Sequence, residues 1–453
     1  MLMTLTIFRS LIPAIGVLCL SGAALGQQNQ PVNQPTVPPN FKGRLLVVLS
    51  DADMVASAYS DGKIGLVQGG DALSVVRLDR LLGATGAARI SVSNSVTGPP
   101  AAAAVTPDGR YALVVETLGP RSSNRADAKL NEQPLGKLIA VVDLADPDAP
   151  KVVQRVGCPA QPETVSINAA GTLAAVAFGP QGAGKTTPLL IYPFAAGRLS
   201  TPLAPPIPGW KLGDNLGDAT FAPTGDLLVL LDSDKPAVSF VRVAGSGSLL
   251  SRWGNAVDVE KDPSLVRFTP NGRYVIVNSQ YADAEMLDNG AGSLRGTTQS
   301  IRLDAEQAAD GSPRHRLVSR ATTGVVSEGM AVSPDGRWVA TSNLERSFLP
   351  LADPRQGFFS SITLLRLDPD TGALDRIGDF TSDGILPETV LFDNSSRLLA
   401  STAFDRFDGR QPGGSIDFWR IATDFYDPKR IELVKLNSSI SVQRGAHTMV
   451  IVR

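Results

Sequence analysis

Three glutamates and one histidine occupy the same place in a repeated sequence phrase. Glu163, Glu328 and Glu388 each stand eight residues before the turn position of a twelve-residue phrase, and His447 stands at the matching place near the C-terminus. Carboxylates held close together repel one another unless one is protonated or a cation lies between them. Such oxygen ligands suit hard cations, whereas a glutamate with a raised pKa beside a histidine suits acid–base catalysis. The chemistry therefore depends on the elements that position these side chains.

The phrase predicts a strand, a β-turn and a second strand. Several turns read Pro-Asp-Gly or Pro-Asn-Gly, in which Pro presets φ, Asp or Asn bonds its own backbone, and Gly accepts a positive φ. A near-continuous apolar run follows each turn, as expected for a strand that is covered on both faces. Six copies span residues 105–116, 167–178, 221–232, 268–279, 332–343 and 392–403. Such an array of similar sheets is typical of an all-β propeller.

The two ends of the chain together supply a seventh copy. Residues 445–453 match the strand before the turn, and residues 43–50 match the strand after it. We therefore predict a seven-bladed β-propeller whose ring is closed by a C-terminal inner strand joining the N-terminal blade. The other strands of that blade are expected within residues 43–80. Closure of this kind leaves no open sheet edge between the first and last blades.

The N-terminus has the features of a secretory signal. Residues 1–26 contain a positive charge at Arg9, an apolar stretch over 11–20, and small residues near the end. Residues 27–40 are rich in Gln, Asn and Pro and are predicted to be a disordered lead-in. The propeller is assigned to residues 41–453. We expect a monomer without a membrane span, located in the periplasm or secreted.

Composition excludes several classes of function. The chain has 42 Lys and Arg against 44 Asp and Glu, scattered without a basic cluster, so no nucleic-acid partner is expected. Only Cys158 remains once the signal is removed, which excludes an internal disulfide and a cysteine metal site. Two histidines are too few for a multi-histidine metal site. No cofactor is expected, apart from a Ca²⁺ ion that the carboxylates could hold in the central channel.

The equivalent positions of seven blades surround one mouth of the channel. The long connections after the second strands emerge on the same face: 119–136, 179–188, 280–297, 344–357 and 405–413. Loops that are placed by a rigid scaffold commonly carry function. We predict a ligand-binding group on this face, made of Glu163, Asp218, His447, Arg346 and Arg406.

Two other interpretations of the glutamates remain open. Glu328 and Glu388 could be catalytic, with either serving as a general base at the channel mouth. Alternatively, the glutamate before the inner strand could be a structural feature of the repeat, bonding backbone amides of the neighbouring blade.

The repeated phrases also resemble a known family. VSPDGRWVATSN at 332–343, TPNGRYVIVN at 269–278 and LPETV at 386–390 are similar to the YVTN-type repeats of lactonase-like seven-bladed propellers. That group includes 6-phosphogluconolactonase and the fungal muconate-lactonising enzyme. The resemblance covers nearly the whole chain after the signal and implies the fold, because the matching residues belong to turns and core. The family's His and Arg constellation has no residue-by-residue match here.

Two functional hypotheses follow. In the first, the chain is an exported propeller that binds a small molecule or a periplasmic protein on its loop-rich channel face. In the second, it is a lactonase-like hydrolase that acts on a sugar or aliphatic lactone through Glu and Arg residues at the channel mouth. The scarcity of histidine and the absence of a nucleophile motif favour the first hypothesis.

Overall fold

The computed structural model describes Pro38 and residues 40–79, 87–281, 295–407, 413–427 and 430–453. The predicted signal over 1–26 and most of the predicted lead-in over 27–40 lie outside the described residues. Within the described part, no helix is both long enough and apolar enough to cross a membrane. The strands described below confirm the predicted all-β architecture.

Seven antiparallel sheets form the blades of a β-propeller, and six of them are built from consecutive strands. Blade 1 contains Ala103–Val105, Tyr111–Val115, Leu138–Asp143 and Lys151–Gly157. Blade 2 contains Pro162–Ile167, Leu173–Phe178, Leu189–Ala195 and Arg198–Leu199. Blade 3 contains Leu216–Phe221, Leu227–Asp232, Ala237–Val243, Leu250–Arg252 and Val257–Asp258.

The next three blades follow the same plan. Blade 4 contains Pro263–Phe268, Tyr274–Ser279, Thr297–Gln307 and Pro313–Thr322. Blade 5 contains Ser327–Val332, Trp338–Asn343, Ser360–Leu367 and Leu374–Ser382. Blade 6 contains Val390–Phe392, Leu398–Ala403, Gly414–Thr423 and Ile431–Val442, beside the small pair Gly384–Ile385 and Asp405–Arg406. The described helices are short: Ala58–Asp61 is α-helical, and Leu130–Glu132 and Ala183–Lys185 are 3₁₀ turns.

Burial along the strands explains the sequence pattern. Every residue of Leu173–Phe178 and of Leu398–Ala403 is buried, as expected for strands covered on both faces by neighbouring blades. The outer strand Lys151–Gly157 instead alternates between exposed and half-buried residues, because one of its faces meets water. The repeated turn requires a positive φ, which is 65° at Gly109 and 59° at Ser396, the residue that replaces the glycine in the sixth copy.

The two ends of the chain close the ring in blade 7. The C-terminal strand Ala446–Val452 is innermost and pairs antiparallel with Leu45–Ser50, with Val452 opposite Leu45. The strands Ala72–Arg77 and Ala88–Ser91 complete the blade. The predicted closure is confirmed, but the expected limit at residue 80 is wrong for the outermost strand. The reason is a long connection between the first two N-terminal strands, which moves that strand further along the chain.

That connection, residues 51–71, crosses the loop-rich face and is called the cap segment here. It carries the helix Ala58–Asp61 and packs on an apolar cluster that includes Phe348 and Phe404. Hydrogen bonds to blade 1 hold it in place: Ile64 N–H donates to the Ala128 carbonyl at 2.9 Å, and Arg121 Nη2 donates to the Gly65 carbonyl at 2.8 Å. These contacts fix the position of the cap segment over the channel.

Candidate ligand site at the channel mouth

A cavity of about 430 Å³ lies at the mouth of the channel beside the cap segment. Its wall includes Glu163, Ser264 and Glu328, which hold equivalent places at the start of the inner strands of blades 2, 4 and 5. Tyr59 of the cap segment and Asp262 are also part of the polar wall, together with Thr97, Asn215, Ser233 and Gln280. The structure therefore brings together two of the glutamates identified from the repeat. The volume falls in the usual range for small-molecule sites.

Glu328 is the most unusual group of this cavity. The residue is only 6% exposed and lines the cavity, and its carboxyl group has no hydrogen-bond partner in the part of the chain that the structure describes. Burial raises the pKa of Glu328 to about 8, and the nearby charge of Asp262 adds to the shift. Because the cavity borders this carboxyl group, a molecule in the cavity can supply its missing hydrogen-bond partner.

Glu163 faces the same cavity from blade 2. Its Oε1 accepts a hydrogen bond of 2.8 Å from Gln161 Nε2. Gly179 makes room for this carboxyl, because a Cβ atom there would lie 2.2 Å from Glu163 Oε1. Burial raises the pKa of Glu163 to about 7, although the hydrogen bond from Gln161 acts to lower it. Near neutral pH this carboxyl group therefore exists in both protonation states and both donates and accepts hydrogen bonds.

Glu388 lies behind Tyr59 and does not line the cavity. It is fully buried, and burial followed by the charge of Glu328 raises its pKa well above the ordinary value. The Tyr59 Oη atom lies 2.6 Å from Glu388 Oε1 and 3.0 Å from the Val96 carbonyl oxygen. A phenol has one proton for these two acceptors. Both contacts are hydrogen bonds when Glu388 is protonated and donates to Tyr59, which in turn donates to Val96.

Removal of this phenol hydroxyl should destabilise the fold. In Tyr59→Phe, the protonated Glu388 and the Val96 carbonyl both lose a buried partner, so the free energy of unfolding should fall by about 1–3 kcal/mol. Tyr281→Phe is the matched control, because Tyr281 Oη bonds the carboxylate of Glu260 at 2.7 Å where water reaches that side chain. Chemical denaturation of both variants at pH 7 measures the difference, and equal losses would contradict the buried network.

The described part of the cavity wall is acidic. Of its described lining residues, three are acidic and none is Lys, Arg or His. The backbone-amide contacts of the structural interpretation are absent at these positions: no described backbone amide donates to the carboxyl groups of Glu163, Glu328 or Glu388. Asp218 has that role instead, since it accepts hydrogen bonds from Val266 N–H of blade 4 at 3.2 Å and from Arg267 at 2.9 Å. The Asp218 carboxylate therefore forms its contacts inside the channel wall, and Asp218 does not line the cavity.

His447 is also placed away from the cavity. It is 1% exposed, and its Nε2 lies 2.7 Å from Asn94 Oδ1. The Asn94 amide nitrogen donates to the Val92 carbonyl, which leaves Oδ1 as the acceptor and assigns the histidine proton to Nε2. Burial lowers the pKa of His447 to about 3, so the ring is neutral at physiological pH. The hydrogen bond between His447 and Asn94 connects the inner strand of blade 7 to the segment that precedes blade 1.

The two predicted arginines lie outside the cavity wall. Arg406 donates to Asp417 Oδ1 at 2.8 Å and to Ser439 Oγ at 2.6 Å, which ties it to blade 6. The Arg346 carbonyl accepts from Gly357 N–H at 3.2 Å within its own connection. Neither side chain lines the cavity at the channel mouth.

The described acids that are grouped closely enough to hold one metal ion are not those of the channel mouth. Among the described residues, only Asp51, Asp53 and Asp71 form a group of at least three whose ligand atoms lie within 4.8 Å of one another. They stand at the two ends of the cap segment. Glu163, Asp262 and Glu328 form no such group, so their spacing suits a molecule better than one metal ion.

Two titratable residues of the cavity were missed by the sequence reasoning. Asp262 lies two residues before Ser264 and is held with a φ of 57°, which places it at the cavity wall. Tyr59 belongs to the connection after the second strand of blade 7. The other long connections likewise follow the second strands of their blades. Aligning the split blade through residues 51–71 would have identified the cap segment.

The fold and the cavity define a seven-bladed β-propeller with an acidic channel mouth. Its solved relatives in fold include the periplasmic gluconolactonase PpgL of Pseudomonas aeruginosa, with a TM-score of 0.56 and 15% identity over 90% of this chain and 99% of that one. A Bacteroides uniformis protein proposed to be a 6-phosphogluconolactonase has the same TM-score, identity and coverage. A functionally unknown protein from Desulfotomaculum acetoxidans has a TM-score of 0.56 and 13% identity, with coverages of 90% and 99%.

These similarities confirm the expected resemblance to lactonase-like propellers at the level of the fold. At 13–15% identity they carry no information on substrate. No protein-family model and no curated protein sequence matches this chain.

Proposed function

We propose that this protein is an exported binding propeller that holds a small polar molecule in the cavity at the channel mouth. The observation that carries the proposal is Glu328, a buried carboxyl group on the cavity wall without a hydrogen-bond partner among the described residues. A ligand in the cavity can supply this partner as a hydrogen-bond donor or as a cation. Buried groups with perturbed pKa values in a cleft are typical of functional sites.

The size of the cavity favours a small molecule over a protein segment as the ligand. The cap segment occupies one side of the mouth, and the remaining space of about 430 Å³ matches a compact metabolite. The proposed export rests on residues 1–26, which have the pattern of a signal peptide. The periplasmic location of the Pseudomonas aeruginosa protein of the same fold is in keeping with it.

Blocking the cavity tests the binding proposal. Ligand-observed NMR would screen the full chain against polar small molecules, including sugars, lactones, amines and amino acids. Ser233 lines the cavity, so Ser233→Trp should weaken any ligand of this site at least tenfold by filling its space. Ser246→Trp is the control, because Ser246 is exposed in an outer hairpin of blade 3. The proposal fails if the screen gives no ligand, or only ligands whose binding both variants leave unchanged.

Lactone hydrolysis is a second candidate, favoured by two cavity carboxyl groups whose pKa values lie near neutrality. Glu163, with a pKa of about 7, is the better base, and Glu328, with a pKa of about 8, is the better acid. Glu163 would take a proton from water as its oxygen attacks the lactone carbonyl carbon. The ring C–O bond would then break, and Glu328 would protonate the departing ring oxygen. The product is an open-chain hydroxy acid.

Acid release measures this reaction directly. A pH-stat assay with a panel of sugar and aliphatic lactones should show turnover that Glu163→Gln and Glu328→Gln each lower about 100-fold or more, the usual contribution of a positioned acid or base. Glu306→Gln, on the exposed outer part of blade 4, should leave the rate unchanged. Absence of turnover on every lactone would exclude this candidate and leave the binding proposal standing.

A further inference from the structure

We infer that the molecule bound at the channel mouth is a small organic cation with a primary ammonium group, held by the carboxyl groups of Glu163, Asp262 and Glu328. This inference rests on the binding proposal above and names the chemistry of its ligand. It starts from the charge of the cavity wall. The described lining residues include these three acids and no basic side chain, so a cationic ligand would lie among groups that become negatively charged when they ionise.

The polar groups around the acids suit an ammonium group in particular. An ammonium group has three donors and no acceptor. The wall presents acceptors for it in the hydroxyl groups of Ser233 and Ser264 and in the carboxyl groups. Glu328 is the central acceptor, because it is buried, aims into the cavity and has no partner of its own among the described residues.

The spacing of the acids favours an organic cation over a metal ion. A metal ion needs several oxygen ligands at 2.3–2.6 Å, as Ca²⁺ does, and so draws its carboxylates close together. The three acids of the mouth do not reach that proximity in the described structure, where only the Asp51, Asp53 and Asp71 group does. They surround a space of about 430 Å³, which is large enough for an alkyl chain as well as an ammonium group.

Proton release should accompany binding. The titratable groups coupled to Glu328 are themselves acids: Asp262, before blade 4, raises its pKa, and Glu328 in turn raises the pKa of Glu388 and of Tyr59. Asp51 acts on Glu388 in the same direction. A bound cation favours the ionised form of Glu328 and must displace its proton at lower pH. Affinity should therefore rise as the pH increases through about 8 and then level off.

The test compares cations with neutral molecules of the same shape. Isothermal titration calorimetry of the full chain would use butylamine and 1,4-diaminobutane against 1-butanol and 1,4-butanediol, at pH 6.0 and 8.5 in amine-free buffers. Both amines should bind at pH 8.5 and at least tenfold more weakly at pH 6.0, and neither alcohol should bind. Glu328→Gln should weaken the amines at least tenfold, and Glu306→Gln should not change them.

Four outcomes would overturn the cation inference. If the alcohols bind as tightly as the amines and without pH dependence, the cavity binds neutral molecules and only the binding proposal stands. The same conclusion follows if the amines do not bind but other molecules bind in a Ser233→Trp-sensitive manner. If CaCl₂ gives heat that Glu328→Gln abolishes while the amines give none, the ligand is a metal ion. When no tested molecule of any kind binds at this cavity, the binding proposal fails as well.

Discussion

Removing residues 445–453 should abolish cooperative folding of the propeller. This segment contains the inner strand of blade 7, which pairs with Leu45–Ser50, every residue of which is buried. Most of its own side chains are buried too, with Met449 4% and Val452 2% exposed. Burying each such apolar side chain contributes about 1.5–3 kcal/mol, and each ladder hydrogen bond about 0.5–1.5 kcal/mol. Together these losses approach the 5–15 kcal/mol that holds a typical domain folded.

The loss would not stay local, because an open ring exposes two new sheet edges. Leu45–Ser50 would present unpaired backbone groups and apolar side chains to water, which favours aggregation. Far-UV circular dichroism during heating should show no cooperative transition, and size-exclusion chromatography should show aggregates. Removing only Arg453, which is exposed and lies beyond the strand, is the control and should leave the melting temperature within a few degrees. A cooperative transition at the wild-type temperature in the longer deletion would refute the ring closure.

Glu328→Gln should make the unliganded protein more stable at alkaline pH. The pKa of Glu328 is about 8 in the folded protein against an ordinary value of 4.5. Because the folded value is the higher one, the contribution of this group to folding is complete below pH 4.5 and is lost as the pH rises through 8. At 1.36 kcal/mol for each pKa unit, the loss at pH 9 approaches roughly 5 kcal/mol.

Glutamine does not ionise and so escapes this loss. We expect the free energy of unfolding of Glu328→Gln to exceed that of the wild type by about 2–5 kcal/mol at pH 9. At pH 5 the two should agree within about 1 kcal/mol, because the carboxyl group is then protonated in the folded state. Urea denaturation at the two pH values measures the difference. Such an outcome is typical of a binding or catalytic residue kept at the expense of stability.

The matched control is Glu306→Gln, which makes the same chemical change on an exposed part of blade 4. Its free energy of unfolding should differ from wild type by less than about 0.5 kcal/mol at either pH. A purely structural role for Glu328 predicts the reverse of our expectation, a variant that is less stable at both pH values. That result would also remove the main support for a ligand at the channel mouth.

The repeat in the sequence was sufficient to predict the blades and the closure of the ring. Turn chemistry such as Pro107-Asp108-Gly109 acts within a few residues, and a buried apolar run such as Leu173–Phe178 is visible in the order of residues alone. The split of blade 7 was also visible, because its two halves are copies of a phrase that occurs six more times. Local propensity and repetition therefore determined the fold.

The repeat also indicated which positions surround the channel mouth. Equivalent residues of successive blades meet there by the symmetry of a ring, so the repeat alone was enough to group Glu163 with Glu328. The same symmetry led to the inclusion of His447, which the structure places in a buried contact with Asn94. An equivalent place in the repeat gives the position of a residue in its blade. The direction of its side chain and its hydrogen-bond partners depend on neighbouring residues that differ from blade to blade.

Only the tertiary structure decided the chemistry of the site. Tyr59 is distant in sequence from Glu388, and the cap segment brings them within 2.6 Å by packing against loops of other blades. Asp218 and Arg406 were also predicted to bind the ligand, but each forms an ion pair within the propeller. Asp218 pairs with Arg267, and Arg406 pairs with Asp417. A charged residue becomes a binding group when packing leaves it buried without a partner. The sequence by itself determined the ring, and long-range packing decided which of its acids faces the cavity.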